Sequence, residues 1–581
     1  MSKKLMLGNE AAARGLYEAG CEFVSSYPGT PSTEITEFAA KYDDIYAEWA
    51  PNEKVAMEAA FGASFAGRRS FCGMKHVGLN VAADPLFTIS YTGVNAGMII
   101  GVADDPGMHS SQNEQDSRHY AIAAKLPMLE PSDSTESKEF VKIAYELSEK
   151  FDTAVMLKMC TRVAHCQSIV ELEDRAEVTH KEYVKNPSKY IMTPANAIKK
   201  HPLVEKRLDD LREWAETSGI NRLEDGSDNE YGFITSSTSY QYVKEVFEDK
   251  YPVLKIGMIN PLPDNTIKEF AGKVKNVVVV EELDGIIETH LSTLGIKAIG
   301  KDKFTNLGEF SQTVVANAFD IEKEVPFNIK EELPARPPAL CAGCPHRGLF
   351  YVLHKKKLTV HGDIGCYTLG AMPPLNALDS TVCMGESVSG VHGYNKSAPE
   401  YAKNTVAVIG DSTFMHSGVT GLINIAYNES NSTVIILDNS ITGMTGHQQN
   451  PTTGINLKGE PAGKVCLEDL CKSIGINRVV VVDPYDLSEC EKAITEEIEA
   501  FEPSVIISRR PCALLKNVKH PGPIKCDTDK CVGCQACMKI GCPAINMVDG
   551  KCKIDETLCL GCGVCGQMCK FDALPLRKEA E

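Results

Sequence analysis

The sequence lacks the features of a membrane protein or a nucleic-acid-binding protein. No uninterrupted apolar run approaches the roughly 18 residues that a membrane-spanning helix needs. The 60 lysines and arginines are outnumbered by 78 aspartates and glutamates, and the net charge of −18 leaves no basic excess for phosphate backbones or anionic lipids. The N-terminal residues contain two lysines but no apolar segment typical of a signal peptide. We therefore expect no nucleic acid and no membrane among its partners.

Cysteine, in contrast, is abundant, with 22 among the 581 residues. Because no secretory signal accompanies them, we expect a cytoplasmic protein whose thiols serve as ligands rather than as disulfides. The length and an apolar content of 43% allow about four globular domains.

Eight cysteines near the C-terminus have the spacing of two iron–sulfur half-sites. Each motif has three cysteines at two-residue intervals and a fourth shortly after. In two-cluster ferredoxins the fourth ligand of each cluster comes from the other motif. Zinc and disulfides are the alternatives, although zinc sites usually show separated pairs. We predict two [4Fe-4S] clusters, one bound by Cys531, Cys534, Cys537 and Cys569, the other by Cys542, Cys559, Cys562 and Cys565.

Two further cysteines of this segment, Cys526 and Cys552, lie off the pattern. Cys552 alternates with charged residues as in a hairpin strand. We interpret both as structural residues.

A strand–helix–strand pattern carries the second chemical signal. Gly410-Asp411-Ser412 follows one apolar strand, Asn439 follows the next, and the segment between them has a helical period. The carboxyl ends of neighbouring parallel strands are where such sheets bind ligands. Asp411 and Asn439 offer oxygen ligands suited to Mg²⁺, and the small residues Gly410 and Ser412 let a diphosphate approach the backbone. A plain strand-end turn, or a hydrolase with Ser412 as nucleophile, would explain the triplet alone.

These motifs resemble those of thiamin-diphosphate enzymes. The whole chain is similar to the thiamin-diphosphate-dependent 2-oxoacid:ferredoxin oxidoreductases, and among them to the large subunit of the enzymes that act on indolepyruvate. The resemblance covers nearly the whole length except residues 180–228. It is carried by the phrases YPGTPSTEI, MKHVGLNVAADPL, DDPGMHSSQNEQDSR, CAGCPHR and GHQQNP.

The resemblance assigns roles to residues in both halves of the chain. It implies that Asp411, the Asn439 side chain and the Ile441 carbonyl hold Mg²⁺ on the thiamin diphosphate, and that Gly410, Ser412 and His346 are also cofactor-binding. It implies that Glu53 hydrogen-bonds the aminopyrimidine ring, that Thr30 faces the reacting centre and that His76 is catalytic. From the residues alone, Glu53 also fits an exposed glutamate at a helix start, and Thr30 a proline turn.

Four more cysteines resemble the ligands of a cofactor-proximal cluster in this family. They would hold a third [4Fe-4S] cluster that takes electrons from the cofactor. Buried free thiols at Cys366 and Cys512 are the alternative. The four are Cys341, Cys344, Cys366 and Cys512.

The group that binds the substrate carboxylate is not assigned by the sequence. His76, Arg118 and Arg347 are the candidates.

The predicted fold class is α/β: three thiamin-enzyme-type domains with parallel, doubly wound sheets, followed by a small two-cluster ferredoxin-like domain. A proline-rich joint is expected at 334–339. The expected domains are a pyrimidine-binding domain at 1–175, a connector or cap at 176–228, a transketolase-C-like domain at 229–330, a thiamin-diphosphate-binding domain at 331–515 and the cluster domain at 516–581.

The reaction implied by the resemblance is the oxidative decarboxylation of arylpyruvates such as indolepyruvate and phenylpyruvate. Coenzyme A would accept the acyl group, CO₂ would leave, and ferredoxin would take the electrons. The resemblance also implies a smaller β subunit and an α2β2 complex. The alternatives are the same reaction on pyruvate, 2-oxoglutarate or a branched-chain 2-oxo acid, a non-oxidative thiamin enzyme, and an electron-transfer subunit without thiamin chemistry.

Overall fold

A computed structural model describes residues 2–322, 331–334 and 337–576. The chain divides into two compact units, residues 1–330 and 331–581. The end of the expected transketolase-C-like domain lies on residues 323–330, and part of the expected proline-rich joint on residues 335–336. Both stretches, and the last five residues of the expected cluster domain, are outside the described residues.

The first unit alternates strands and helices. Its strands are β1 Ser2–Leu7, β2 Phe23–Ser26, β3 Tyr46–Trp49, β4 Ser70–Lys75, β5 Met98–Asp104, β6 Met128–Leu129, β7 Val155–Cys160, β8 Gln167–Leu172, β9 Arg222–Glu224, β10 Tyr231–Thr235, β11 Val253–Lys255, β12 Met258–Asn260, β13 Asn276–Val280 and β14 Ala298–Ile299. Its helices are α1 Gly8–Glu18, α2 Thr33–Ala39, α3 Glu53–Phe65, α4 His76–Val81, α5 Ala83–Thr92, α6 Arg118–Ala124, α7 Ser134–Phe151, α8 Thr161–His165, α9 Pro187–Tyr190, α10 Pro194–Thr217, α11 Ser237–Phe247, α12 Asp264–Lys273, α13 Ile286–Thr293 and α14 Gln312–Asn317.

A seven-stranded sheet carries the candidate functional residues of the first unit. Its order is β12-β6-β7-β5-β4-β2-β3, and all neighbouring strands are parallel except β12 and β6. Strands β4, β5 and β7 are buried along their whole length, as is typical of parallel strands covered by helices on both faces. The carboxyl ends of β2, β4 and β5 therefore share one edge of the sheet.

A second sheet of the first unit has the order β14-β13-β10-β11-β9, with only β9 antiparallel to its neighbour. Strand β12 follows β11 in the chain, yet it pairs with β6 of the first sheet. Residues of both sheets, such as Ile100 and Ile234, belong to one apolar core. A short antiparallel pair of β1 and β8 completes the unit.

The second unit begins with another α/β sheet and ends in a small cysteine-rich segment. Its strands are β15 Thr359–His361, β16 Thr405–Gly410, β17 Thr433–Asp438, β18 Arg478–Val482, β19 Ser504–Arg509, β20 Ile545–Val548 and β21 Lys551–Ile554. Its helices are α15 His346–Lys356, α16 Glu386–Ser397, α17 Asp411–Thr413, α18 Val419–Tyr427, α19 Leu467–Ile474, α20 Leu487–Glu499 and α21 Val564–Gln567, with a π-helical turn at Phe414–Gly418 and 3₁₀ turns at Cys366–Ala371, Pro399–Asn404 and Ala536–Ile540.

The five-stranded sheet of this unit is entirely parallel, with the order β15-β16-β17-β19-β18. Strands β16 and β17 are adjacent, and Gly410 is in register with Leu437. In the C-terminal segment β20 and β21 form an antiparallel hairpin. The predicted α/β class with parallel sheets is confirmed. Among the described residues, the helices are all too short or too polar to cross a bilayer.

Candidate functional sites

The register of β16 and β17 brings the residues that follow the two strands to one edge of the sheet. Asp411 follows β16 and Asn439 follows β17 by one residue. Both are buried, with 2% and 8% of their surface exposed. The Asn439 carbonyl accepts a hydrogen bond from the backbone N–H of Cys512 at 2.9 Å. The predicted magnesium ligands therefore lie at the carboxyl edge of one parallel sheet.

Among the residues that the structure describes, the hydrogen-bond partners of the Asp411 carboxylate are neutral. It accepts a hydrogen bond from the Ser412 backbone N–H at 2.8 Å, and Thr452 Oγ1 lies 3.4 Å away. Burial, reinforced by the neighbouring Asp438 carboxylate, raises the pKa of Asp411 to about 7. Asp438 itself is paired with Arg509 at 2.7 Å. A buried carboxylate without a cation beside it, next to an amide oxygen, fits a hard divalent cation such as Mg²⁺.

Close backbone packing surrounds this pair. A Cβ on Gly410 would lie 2.7 Å from the Tyr367 ring, so only glycine fits there. His346 meets the edge of the same ring at a centroid distance of 6.0 Å, and burial lowers its pKa to about 4. Ser412 Oγ accepts a hydrogen bond from Thr442 Oγ1 at 2.9 Å. Ile441 is buried in the loop after Asn439.

The sequence analysis missed two residues of this site. Asn450 Oδ1 accepts hydrogen bonds from the Thr452 hydroxyl at 2.7 Å and from its backbone N–H at 2.9 Å. The Thr452 hydroxyl oxygen thus lies within reach of both Asn450 Oδ1 and Asp411, and its one proton can go to either acceptor. The phrase GHQQNP, which ends at Asn450-Pro451, was the available signal.

In the first unit Glu53 begins α3, directly after the helix-capping residue Asn52. Only 6% of its surface is exposed. A Cβ on Gly78 would lie 2.4 Å from Glu53 Oε1, so the carboxyl packs against the glycine of helix α4. The alternative of a solvent-exposed glutamate at a helix start does not fit this burial.

Thr30 and His76 lie at the same edge of the seven-stranded sheet. His76 is the first residue of α4 and is 1% exposed, with Nε2 3.3 Å from the Asn113 carbonyl oxygen. Burial lowers its pKa. Thr30 is half-buried in the loop after β2, where a Cβ on Gly29 would lie 3.0 Å from Lys75 Cβ. Glu53, Thr30, His76 and the unpredicted Lys75 thus gather at the ends of β2 and β4.

The two arginines considered for the substrate carboxylate are already engaged. Arg118 is fully buried and pairs with Asp116 and Glu281, each at 2.6 Å. Arg347 is 4% exposed and donates to backbone carbonyls, including that of Cys341 at 3.0 Å. Neither guanidinium is available to a small-molecule carboxylate, so both of these candidates were wrong.

The eight patterned cysteines line two different cavities in the C-terminal segment. The structure brings together the same quartets that the crossed ferredoxin pattern assigns. Cys531, Cys534, Cys537 and Cys569 line the first cavity, and Cys542, Cys559, Cys562 and Cys565 line the second.

The sulfur positions fit clusters better than single metal ions. Among the described residues, no three of these Sγ atoms lie within 4.8 Å of one another. The sulfurs of a tetrahedral zinc site, with Zn–S bonds of about 2.3 Å, would lie about 3.8 Å apart. Thiolates spread around a cavity suit an iron–sulfur cluster.

The two off-pattern cysteines lie beside the first cavity. Cys526 and Cys552 both line it, and the Cys552 backbone N–H donates to Cys531 Sγ at 3.3 Å. Hydrogen bonds to ligand sulfurs are one of the influences on cluster potential. Both lie beside a sulfur that the sequence assigns as a cluster ligand, and their interpretation as structural residues stays a prediction.

A third group of cysteines gathers beside Asn439. Burial, with smaller contributions from Cys512 and Cys341, raises the pKa of Cys366 to about 11. Burial likewise raises the pKa of Cys344 to about 12, with contributions from Cys341 and Cys366. The four thiols that the sequence analysis grouped therefore lie close enough to interact electrostatically.

Family models match the two sheet regions that carry these residues. The model described as pyruvate flavodoxin/ferredoxin oxidoreductase, thiamine diP-bdg, matches residues 14–210. The model described as thiamine pyrophosphate enzyme, C-terminal TPP binding domain, matches residues 363–508.

Curated relatives cover nearly the whole chain. The indolepyruvate oxidoreductase subunit IorA of Archaeoglobus fulgidus is 39% identical over 99% of this chain and 98% of its own length. The subunit IorA of Thermococcus kodakarensis is 40% identical over 99% and 97%. The chain belongs to the IorA family. It is therefore a thiamin-diphosphate-dependent 2-oxoacid:ferredoxin oxidoreductase subunit, as the sequence predicted.

One solved structure is more distant. The 2-oxoglutarate:ferredoxin oxidoreductase from Magnetococcus marinus is 18% identical, covers 55% of this chain and 65% of its own, and aligns with a TM-score of 0.47.

Replacing Asp411 tests the cofactor site. We expect Asp411→Ala to weaken binding of Mg²⁺–thiamin diphosphate by more than about 100-fold, and Thr452→Val, which removes only a supporting hydrogen bond, by about 10-fold. Titration calorimetry on the anaerobic protein measures both. The visible absorption of the C-terminal clusters should not change in either variant, and normal cofactor binding by Asp411→Ala would refute the assignment.

Single cysteine replacements test the crossed ligation. Cys569→Ala should abolish the same low-temperature EPR signal as Cys534→Ala, because these two sulfurs line one cavity. Cys559→Ala should abolish a different signal. If Cys569→Ala and Cys559→Ala removed the same signal, each motif would hold its own cluster and the crossed arrangement would be wrong.

Proposed function

We propose that the protein is the catalytic subunit that oxidatively decarboxylates arylpyruvates, with indolepyruvate and phenylpyruvate as substrates. Coenzyme A accepts the acyl group to give an aryl-acetyl-CoA, CO₂ leaves, and ferredoxin receives the two electrons. A smaller β subunit completes an α2β2 complex. The relatives are named subunits of indolepyruvate oxidoreductase, which supports both the substrate and the existence of a partner.

One observation carries this proposal above its alternatives. The compact unit 331–581 contains both the buried oxygen pair, Asp411 and Asn439, and the cysteine quartets. A non-oxidative thiamin enzyme has no use for the quartets. An electron-transfer subunit has no use for the oxygen pair.

Each group of residues has a role in this reaction. Bound thiamin diphosphate supplies carbanion chemistry at the keto carbon, and iron–sulfur clusters carry electrons one at a time. Asp411 and Asn439 hold the metal of the diphosphate, with the Ile441 carbonyl. Glu53, buried at the start of α3, would hydrogen-bond the aminopyrimidine ring of the bound cofactor. The cysteine quartets, with Cys341, Cys344, Cys366 and Cys512 as a third set, ligate the clusters.

Lys75 is our candidate for the group that binds the substrate carboxylate. It ends β4, is 7% exposed, and donates to the Ser110 carbonyl oxygen at 2.7 Å and to Ser110 Oγ at 3.3 Å. Its nearest carboxylate, Asp105, is 4.0 Å away and already accepts a hydrogen bond from Thr161 at 2.8 Å. Burial lowers the pKa of Lys75 to about 8, which the Asp105 charge only partly offsets.

The other buried cations nearby differ from Lys75. Lys158 lies 2.5 Å from Glu130 and 3.6 Å from Asp104, and Arg118 also pairs with two carboxylates. A buried ammonium with weak compensation is favourable for an incoming anion, because the anion supplies the missing counter-charge.

Substrate choice tests the proposed function. The anaerobic protein, co-expressed with its smaller partner, should reduce viologen in the presence of coenzyme A with indolepyruvate or phenylpyruvate. We expect kcat/KM for these acids to exceed that for pyruvate and 2-oxoglutarate by at least about 100-fold, since a pocket shaped for an aryl group gains its apolar contacts. A preference for pyruvate or 2-oxoglutarate would keep the reaction class and reject the substrate.

Lys75 gives a separate prediction. Lys75→Met should weaken binding of indole-3-lactate by about 100-fold, as expected for a lost charge-assisted hydrogen bond of about 2–3 kcal/mol. The same substitution should change the affinity for the neutral indole-3-lactamide by no more than about twofold. The affinity of Lys75→Arg for indole-3-lactate should lie between those of the wild type and Lys75→Met. In the wild type, affinity for the lactate should fall as pH rises above about 8, where the amine loses its proton.

Two titratable groups lie near this amine besides the substrate, Asp105 and His76. Asp105 stays ionised across this range, since hydrogen bonds lower its pKa, and His76 is neutral, since burial lowers its own. Neither group changes charge above pH 8, so the loss of affinity for indole-3-lactate would be due to deprotonation of Lys75. Equal weakening of lactate and lactamide would show a structural role instead.

A further inference from the structure

Arg347 is a buried cation whose hydrogen-bond acceptors are all neutral. It lies in the first turn of α15 and is 4% exposed. Its guanidinium donates to the carbonyl oxygen of Cys341 at 3.0 Å, to that of Ile540 at 3.2 Å, and to those of Leu340 and Gly541. Within the described residues, these four carbonyls are its complete set of partners.

Such a cation requires a counter-charge. Burying an unpaired charge costs several kcal/mol, which carbonyl dipoles offset only in part. Burial accordingly lowers the pKa of Arg347, and the groups that oppose this shift are cysteines: first Cys542 and Cys344, then Cys341 and Cys562. These cysteines would supply negative charge beside Arg347 once they bind clusters as thiolates.

These four cysteines belong to two different sets. Cys341 and Cys344 are in the group beside Asn439, whereas Cys542 and Cys562 line the second cavity of the C-terminal segment. Arg347 and Cys344 also line that cavity. The guanidinium therefore stands between the two sets.

A glycine allows the two loops to come this close. Gly343, with a φ of 67°, has the left-handed conformation that glycine adopts freely. A Cβ there would lie 3.0 Å from Leu560 Cδ1, in the loop between Cys559 and Cys562. The two cysteine loops are thus packed against each other with Arg347 between them.

We propose that Arg347 is the shared counter-charge of the cluster held by Cys542, Cys559, Cys562 and Cys565 and of the cluster held by Cys341, Cys344, Cys366 and Cys512. This role rests on the proposed function, because it requires both clusters. A tetrathiolate [4Fe-4S] cluster is anionic and gains a further negative charge on reduction. A fixed cation between two such clusters stabilises the reduced form of each, so Arg347 raises both potentials.

A purely structural role makes a different prediction. Arg347 could act only by hydrogen-bonding the backbone at 340–341 and 540–541. Such a role depends on the planar geometry of the guanidinium group, so lysine should replace arginine no better than glutamine does. If its value lies in the charge, lysine should retain most of the effect.

Redox titration followed by EPR separates these possibilities. The signals are first assigned in the wild-type complex from the Cys542→Ala, Cys366→Ala and Cys569→Ala variants. Arg347→Gln should make reduction of the cluster at Cys542 about tenfold less favourable, a shift of about 59 mV to lower potential for one electron. The cluster at Cys366 should shift in the same direction. Arg347→Lys should stay within about twofold of the wild type.

The cluster expected in the first cavity of the C-terminal segment provides an internal reference. The potential of the cluster at Cys569 should not change in either Arg347 variant, because Arg347 is absent from the lining of its cavity. Lys551, which donates to the Cys531 carbonyl, gives the reciprocal control: Lys551→Gln should shift that cluster and not the one at Cys542.

Failure of this inference and failure of the proposed function are distinguishable. Unchanged potentials in Arg347→Gln with all clusters present, or equal shifts in the Gln and Lys variants, would overturn the charge role and leave the function intact. If the Arg347→Gln variant does not assemble its clusters, the Arg347→Lys variant is measured instead. Cluster potentials equal to those of the wild type would support the charge role, and a potential shift equivalent to a tenfold change would reject it. A wild-type chain without iron at Cys366 and Cys542 would reject the function itself.

Discussion

The burial of charge without an opposite charge beside it is the constraint on which the second unit depends. Asp411 is buried among neutral donors, and Arg347 is buried among neutral carbonyls. Isolated buried ions are among the most costly features a fold can contain. Each of these two has the sign that a prosthetic group would balance: a divalent cation at Asp411, and anionic thiolate clusters at Arg347. Stability of this unit should therefore be linked to its cofactors, since whatever binds only the folded state stabilises it.

Parallel-sheet topology explains why the functional residues are scattered in sequence and close in space. In both units the chemistry-bearing side chains follow strands: Asp411 after β16, Asn439 after β17, and Lys75 with His76 at the end of β4. Neighbouring parallel strands end at one edge, so residues far apart in the chain become neighbours. The fold thus sets the position of each group, and the loops set which neutral donors surround it.

Much of the fold followed from periodicity. The apolar strands expected before Gly410 and before Asn439 are β16 and β17, two central strands of one sheet, and the helical segment expected between them contains α18. Long apolar β-branched runs and an Asn helix cap are local signals, which a single sequence contains. The cysteine quartets were also predictable, because ferredoxin ligation depends on short spacings.

What could not be predicted depends on distant partners. Nothing in the sequence around Arg118 shows that Asp116 and Glu281 will occupy its guanidinium, since Glu281 is 163 residues away. Lys75 was overlooked for the same reason: its weak compensation is visible only when the positions of Asp105 and Ser110 are known. Burial and charge balance are properties of the tertiary structure, and residue types alone do not contain them.

The pairing of β12 with β6 has a consequence for how this protein can be divided. Strand β6 is two residues long, and without β12 its outer backbone edge would be open. An open edge invites pairing with another chain and aggregation. A fragment that ends at the expected boundary at 228 would therefore contain all the parallel strands of the first sheet and still lack the strand that closes it. Recombination or splitting of the gene between the codons for β6 and β12 would separate this sheet from its own edge strand.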